Sequence, residues 1–217
     1  SIINYVDLLE KEELSNETAE GYLEVLERQS NRLKKLIEDL IEASKASTGN
    51  LAVHLEKLEA GVSVVQIVGE FEDKLNAADL TLLIQKPETP VYVMADGRHF
   101  WRVIDNLMNN ICKYAQPGTR VYVDLRENGG QVELIFRNTS RYPLNISSEE
   151  LMERFVRGDE SRNTEGSGLG ISIAKSLMEL MGGSFMLYVD GDLFKVVLGF
   201  AQMEEEKEPL DEDKSGK

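Results

Sequence analysis

Asn106, Asn110, Lys113 and Tyr114 fall at i, i+4, i+7 and i+8 of one stretch. On an α-helix that spacing puts all four on one face. A carboxamide oxygen is a hard ligand suited to Mg2+, an ion that keeps several waters and takes substrate phosphates as its other ligands. An ammonium three residues further along can neutralise a phosphate oxygen. Some sixty residues later the chain reads Gly166-Ser-Gly168-Leu-Gly170-Ile-Ser-Ile. Glycines let the backbone approach a phosphate closely and aim N–H groups at it. A helix predicted over about Leu169 to Met181 brings its positive end to the same place. Together the two segments describe a magnesium–nucleotide site. Each half also has a plainer reading: a polar stripe facing solvent, and an ordinary glycine turn. The turn is not a P-loop, because no Lys-Ser/Thr follows it. No strand leads directly into it, as a dinucleotide fingerprint requires.

The elements that must hold these segments can be read outward. Ile104, Leu107, Met108 and Ile111 give the first helix an apolar face for a core. A further helix is predicted from about Val62 to Leu75, and strands at Leu80–Ile84 and Val91–Met94 with Pro87 and Pro90 between them. Arg120–Leu125 and Gln131–Phe136 alternate and are joined by Asn128-Gly129-Gly130, a hairpin signal. Ser184–Val189 and Leu193–Phe200 form a second pair around Asp190-Gly191-Asp192. Mixed strands and helices suggest one sheet covered by helices on one face. Residues 1–46 hold no proline and one glycine, and Ser15 or Asn16 can cap a long second helix. Along it Tyr22, Leu26, Gln29, Leu33, Leu36, Leu40 and Ala43 recur at alternating four and three spacing, flanked by Val25, Ile37 and Ile41. Two such helices cannot bury their faces alone, so a homodimeric four-helix bundle is expected; a hairpin packed on its own domain is the alternative.

The two opening segments, in this order and spacing, resemble the N box and G2 box of bacterial sensor histidine kinases. Between them Glu153-Arg-Phe155-Val-Arg157-Gly-Asp159-Glu-Ser-Arg162-Asn resembles that family's F box. The resemblance covers nearly the whole chain, from Ser1 to about Gln202. It implies an α+β fold: an N-terminal helical hairpin, half of a dimeric bundle, followed by a Bergerat-type α/β sandwich. The implied division is dimerisation and phosphotransfer helices at 1–48, an ATP-binding domain at 49–202, and an acidic tail at 203–217. By the same resemblance Asn110 would bind Mg2+ beside the phosphates of ATP. Asn106, Lys113 and Arg162 would contact the phosphates, and Tyr114 would line the site or its lid. Gly166, Gly168 and Gly170 would let the lid close and give backbone donors. The implied partners are a response regulator and a second copy of the chain through residues 1–46.

Two departures stand out. The family's phosphoacceptor His sits in a His-Glu/Asp-Leu-Arg/Lys-Thr-Pro motif, and Ser1-Ile-Ile-Asn-Tyr-Val-Asp-Leu-Leu looks like the stretch just after it. The resemblance therefore puts the acceptor upstream of Ser1. His54 and His99, the chain's two histidines, lack the motif's neighbours and read as structural or surface residues. The expectation is that the chain as given does not autophosphorylate by the usual route. The family's G1 box, Asp-x-Gly-x-Gly, is replaced by Asn138-Thr-Ser-Arg-Tyr. Asn138 stands where the carboxylate would meet the adenine amino group. Its amide oxygen can accept that bond, without charge and with an NH2 beside it. A weaker nucleotide binder, or one of shifted geometry, is implied. Ser147-x-x-Glu150 is a capping box before the next helix.

Composition sets the remaining bounds. The chain has 217 residues and a net charge of −15, which argues against sequence-independent nucleic-acid binding. Residues 204–217 hold seven acids and three lysines and read as a disordered tail. One cysteine, Cys112, cannot form an intrachain disulfide, and a reducing cytoplasm is the simplest setting. It reads as a small buried hydrophobe. No run is long enough to span a membrane, so membrane attachment would come only through upstream segments. Trp101 reads as core or interface packing. Other readings remain: a nucleotide-binding or docking module without kinase activity, or a serine kinase of the anti-sigma type, against which the helical hairpin argues. A gyrase- or chaperone-type ATPase is further off, because no glutamate is clearly placed to activate water.

Overall fold

Two helices open the chain, α1 (Ile2–Lys11) and α2 (Asn16–Ser47), in a computed structural model that describes residues 2–11, 15–144, 147–152 and 168–203. Ser15 caps α2, its hydroxyl accepting from the Thr18 N–H. At 32 residues α2 is about 48 Å long. Its C-terminal end buries Ala43 and Ala46, while Leu23, Leu33, Ile37, Leu40 and Ile41 remain exposed. Tyr5 of α1 meets Tyr22 edge to face at 5.4 Å, and Ile3 and Val6 stay exposed beside them. Within one chain the seam positions Leu33 and Leu40 and the flanking Ile37 and Ile41 therefore remain uncovered.

Five strands form the main sheet: β2 (Leu80–Gln85), β4 (Thr119–Asn128), β5 (Gln131–Thr139), β6 (Ser184–Asp190) and β7 (Leu193–Ala201). Their order is β2-β4-β5-β7-β6, with β2 parallel to β4 and every other pair antiparallel. The β4–β5 turn uses Gly129 and Gly130 at φ 59° and 81°, a left-handed conformation that glycine adopts without a steric penalty. The expected single sheet is corrected to two. β1 (Glu56–Glu59) pairs with β3 (Tyr92–Ala95) in a separate antiparallel ribbon. Pro87 and Pro90 turn the chain away after β2, and β3 meets the large sheet's end through the single bridge Val93 to Gln202. His54 lies just before β1.

The helix expected from Val62 to Leu75 is two helices, α3 (Ala60–Gly69) and α4 (Glu72–Ala77). Gly69 is a weak helix former. After it the Glu70 and Phe71 N–H groups return to the Ile67 and Val68 carbonyls at 3.2 and 3.1 Å. The turn drives Phe71 into the core at 3% exposure. The short α6 (Ser148–Met152) carries the expected capping box: Ser147 N–H donates to Glu150, and Glu150 N–H to Ser147 Oγ, at 2.9 and 3.2 Å. The main core lies where α5 (Gly97–Tyr114) and α7 (Gly170–Leu180) face Val132, Leu134 and Phe136 of β5.

Asp96 fixes the start of α5. Its buried carboxylate accepts from the Arg98 and His99 N–H groups, from the Arg98 guanidinium, and from the His54 N–H at 2.9 Å. The His99 ring nitrogen meets Ala52 O at 3.1 Å, so the linker after α2 is tied to this helix. Burial alone would raise the Asp96 carboxyl, but Arg98 and the His54 N–H more than offset it and hold it well below the usual carboxylate range. Asp96→Ala is expected to cost about 2–3 kcal/mol, a cap plus charge-assisted bonds. A depressed folded pKa gives stability that is complete above the unfolded value, near pH ~4, and lost as pH falls toward the folded value. Urea unfolding should therefore show a smaller gap between wild type and variant at pH ~3 than at pH ~7.

Candidate functional site

Helix α5 has two faces of opposite kind. Phe100, Val103, Ile104, Leu107, Met108 and Ile111 are buried in the core. Asn106, Asn110, Lys113 and Tyr114 are all half-buried on the other side, and the Lys113 ammonium sits 4.8 Å over the Tyr114 ring. The polar stripe thus faces neither core nor open solvent.

Helix α7 packs across α5 and brings the glycine turn to it. A methyl group on Gly170 would stand 3.4 Å from Asn106 Oδ1, so the gap in sequence closes in space. Gly168 takes φ 72°, which a side chain would strain. Leu169 precedes α7 and makes no side-chain cap. The first turn of a helix presents N–H groups that can bind an anion.

The end of β5 supplies a third wall. Gln116 N–H donates to Thr139 O at 2.9 Å and Arg141 N–H to Tyr114 O at 2.8 Å. These bonds lock the end of α5 to the end of β5. Asn138 is 4% exposed and shares the helix-covered side of the sheet with Leu134 and Phe136 by strand alternation. Its Nδ2 donates to Thr139 O at 3.2 Å. Asn138 Oδ1 and Asn106 Nδ2 are buried without a hydrogen-bond partner among the described residues. Leaving such a group unmet costs about 1–3 kcal/mol, so a donor and an acceptor on the bound molecule would recover that cost. The residues present fit a polar, phosphate-bearing ligand.

Arg162, Gly166 and the Glu153–Arg157 segment lie outside the described residues. So does Ser1, the residue upstream of which the acceptor histidine is expected. Sequence reasoning missed a polar chain behind Asn106. Arg102 donates to Asp105, Asn109 Nδ2 donates to Asp105 Oδ1 at 2.7 Å, and Lys74 donates to Asn109 Oδ1 at 3.1 Å. The i,i+3 spacing of Arg102 and Asp105 and the i,i+4 spacing of Asp105 and Asn109 were its local signals. Trp101, expected in the core or at an interface, is not a core residue: it is 38% exposed and its indole N–H donates to Glu70 at 3.2 Å. Cys112 is half-buried against the core, and burial pushes its thiol pKa up, the environment of an unreactive cysteine.

Residues 95–208 match the family described as histidine kinase-, DNA gyrase B-, and HSP90-like ATPase. The chain belongs to that family. Residues 1–49 match the His kinase A (phospho-acceptor) domain, a combination consistent with a two-component sensor kinase. Sensor protein DivL of Caulobacter vibrioides is 25% identical over 184 residues, 84% of this chain and 23% of DivL. The chain spans 23% to 60% of the length of such curated relatives. Acinetobacter baumannii histidine kinase AdeS superposes with TM-score 0.76 at 19% identity, covering 94% of each chain. Histidine kinase ThkA, solved with response regulator protein TrrA, gives 0.69 at 14% identity, covering 93% of this chain and 57% of that one. Both show the fold alone. Among the described residues of this kinase-family chain, no helix is long and apolar enough to cross a membrane.

Proposed function

We propose that this protein binds Mg-ATP between α5, α7 and the end of β5. It would pass the γ-phosphoryl group to a histidine on the helical dimerisation segment, for relay to an aspartate of a response regulator in the cytoplasm. The observation that carries the reading is Asn106 set against Gly170 at the side-chain-uncapped start of α7. Asn110 would ligate Mg2+, which would neutralise charge on the phosphates. Asn106, Lys113, Arg162 and the α7 N–H groups would hold the phosphates, with Gly166 and Gly168 shaping the turn. Tyr114 would line the site, and Asn138 would meet adenine. Phosphoryl transfer demands positioning and charge neutralisation above all, and these residues supply both.

The working division is helices at 1–48, nucleotide domain at 49–202 and acidic tail at 203–217. The exposed seam of α1 and α2 would be covered by a second copy through residues 1–46. Neither histidine of the sequence suits the acceptor role. His54 sits in the linker with its N–H on Asp96, and His99 is held in the first turn of α5. The acceptor would be presented from elsewhere.

The test is calorimetric titration with Mg-ADP, followed by transfer from labelled ATP to a helical peptide carrying a His-Glu/Asp-x-x-Thr-Pro motif. Binding and labelling of the histidine are expected. No binding at millimolar nucleotide would sink the site. Binding without transfer would favour the second reading, a nucleotide-dependent docking module, which Asn138 in place of an aspartate specifically favours.

A further inference from the structure

We infer that Arg102 is an ionic latch that fixes α2 against the walls of the nucleotide site. Its side chain is about four-fifths buried, with an exposure of 21%. Nη2 lies 2.8 Å from Asp39 and 2.9 Å from Glu42, while Nη1 lies 3.1 Å from Asp105. Asp39 and Glu42 are one turn apart on α2; Asp105 is on α5 with Arg102 itself. A planar fork can meet carboxylates from both helices at once, which a lysine ammonium cannot do in fixed geometry.

The position of its charge makes this arginine the bridge between the two helices. Three carboxylates, two from α2 and one from α5, converge on this guanidinium. Without Arg102, the part-buried seam would lose the cation set between the α2 acids and Asp105, and carboxylates brought together repel. Apolar contact offers little in compensation. The α2 side chains buried nearby are Ala43 and Ala46, while the larger Leu40 and Ile41 point outward.

The latch sits directly behind the site. Asp105 precedes Asn106 and also accepts from Asn109, one residue before Asn110. Helix α7, which brings Gly170 to Asn106, is likewise packed against α2. Opening the latch therefore loosens both walls, and nucleotide affinity depends on where α2 sits. This second half rests on the nucleotide reading above; the first half does not.

The two halves are tested separately. Spin labels at Lys35→Cys and Gln85→Cys, in a Cys112→Ser background diluted with unlabelled chain, report the distance from α2 to the sheet. Without nucleotide and at low salt, the wild-type latch should give one narrow distribution. Arg102→Ala should broaden it, and so should Asp39→Asn combined with Glu42→Gln, which keeps the Arg102–Asp105 pair should the alanine variant not fold. The swap Arg102→Asp with Asp39→Arg, which keeps one cation and three acids, should restore the narrow form. Narrow, wild-type distributions in the first two variants would overturn the latch. The broadened variants should bind Mg-ADP about 5-fold more weakly or worse. By reciprocity, Mg-ADP should narrow their distributions. Unchanged affinity in a broadened variant overturns the coupling while the latch stands. Absence of Mg-ADP binding to the wild type overturns the nucleotide reading and the coupling together.

Discussion

Asn110→Ala is expected to weaken Mg-ADP binding by about 100-fold or more while leaving metal-free ADP binding almost unchanged. The reasoning starts from what each asparagine of α5 touches. Asn106 has its Oδ1 against Gly170 and its Nδ2 buried, so it faces the phosphate turn. Asn110, one turn on, is the remaining carboxamide of the stripe, with Lys113 and Tyr114 beyond it. Among the described residues no cluster of three His, Cys, Asp or Glu side chains could hold a metal by itself. A Mg2+ ion here would lean on phosphate oxygens, waters and one neutral protein oxygen. Loss of a group that only orients a metal ligand already costs roughly 10–100-fold, so loss of the ligand sits at or beyond the top of that range. Titrations of ADP with Mg2+ and with EDTA check it. Wild type should show a large metal dependence and the variant almost none. A variant that kept the full metal dependence would remove Asn110 from the metal.

Much of this site is legible in the sequence because its parts are local. Helical period alone places Asn106, Asn110, Lys113 and Tyr114 together, and three glycines before an apolar helix announce a close backbone approach. The capping box at Ser147 and the double-glycine hairpin are likewise short-range chemistry. Illegible features depend on partners far along the chain. His54 meets Asp96 across 42 residues and Asp39 meets Arg102 across 63, and no periodicity encodes such pairs. The break between α3 and α4 is similar. Its apolar pattern runs on without interruption, and only the core decides that Phe71 turns inward. Trp101 misleads for the opposite reason: its size suggests a place in the core, yet it is part-exposed with its indole N–H on Glu70.

Asn138→Asp should tighten ADP binding about tenfold and lower the stability of the nucleotide-free protein. Asn138 presents a buried Oδ1 with no partner among the described residues, while its NH2 is spent on the Thr139 carbonyl. A carboxylate at this place accepts the adenine amino hydrogen with full charge. Hydrogen bonds to a charged group contribute about 1.5–3 kcal/mol against about 0.5–1.5 for a neutral pair, a difference worth roughly tenfold in affinity. Without nucleotide the sign reverses. The carboxylate loses the donor to Thr139 O, faces that carbonyl directly, and is buried without a partner, at about 1–3 kcal/mol. Thermal unfolding should therefore show a lower Tm for the variant alone and a larger upward shift on adding ADP. Inosine diphosphate, which lacks the amino group, separates adenine recognition from a general change in the pocket. Its affinity should not rise with the substitution, so the preference for ADP over it should widen by the whole gain. Equal gains for both nucleotides would place Asn138 away from the amino group and leave the adenine end of the site to other residues.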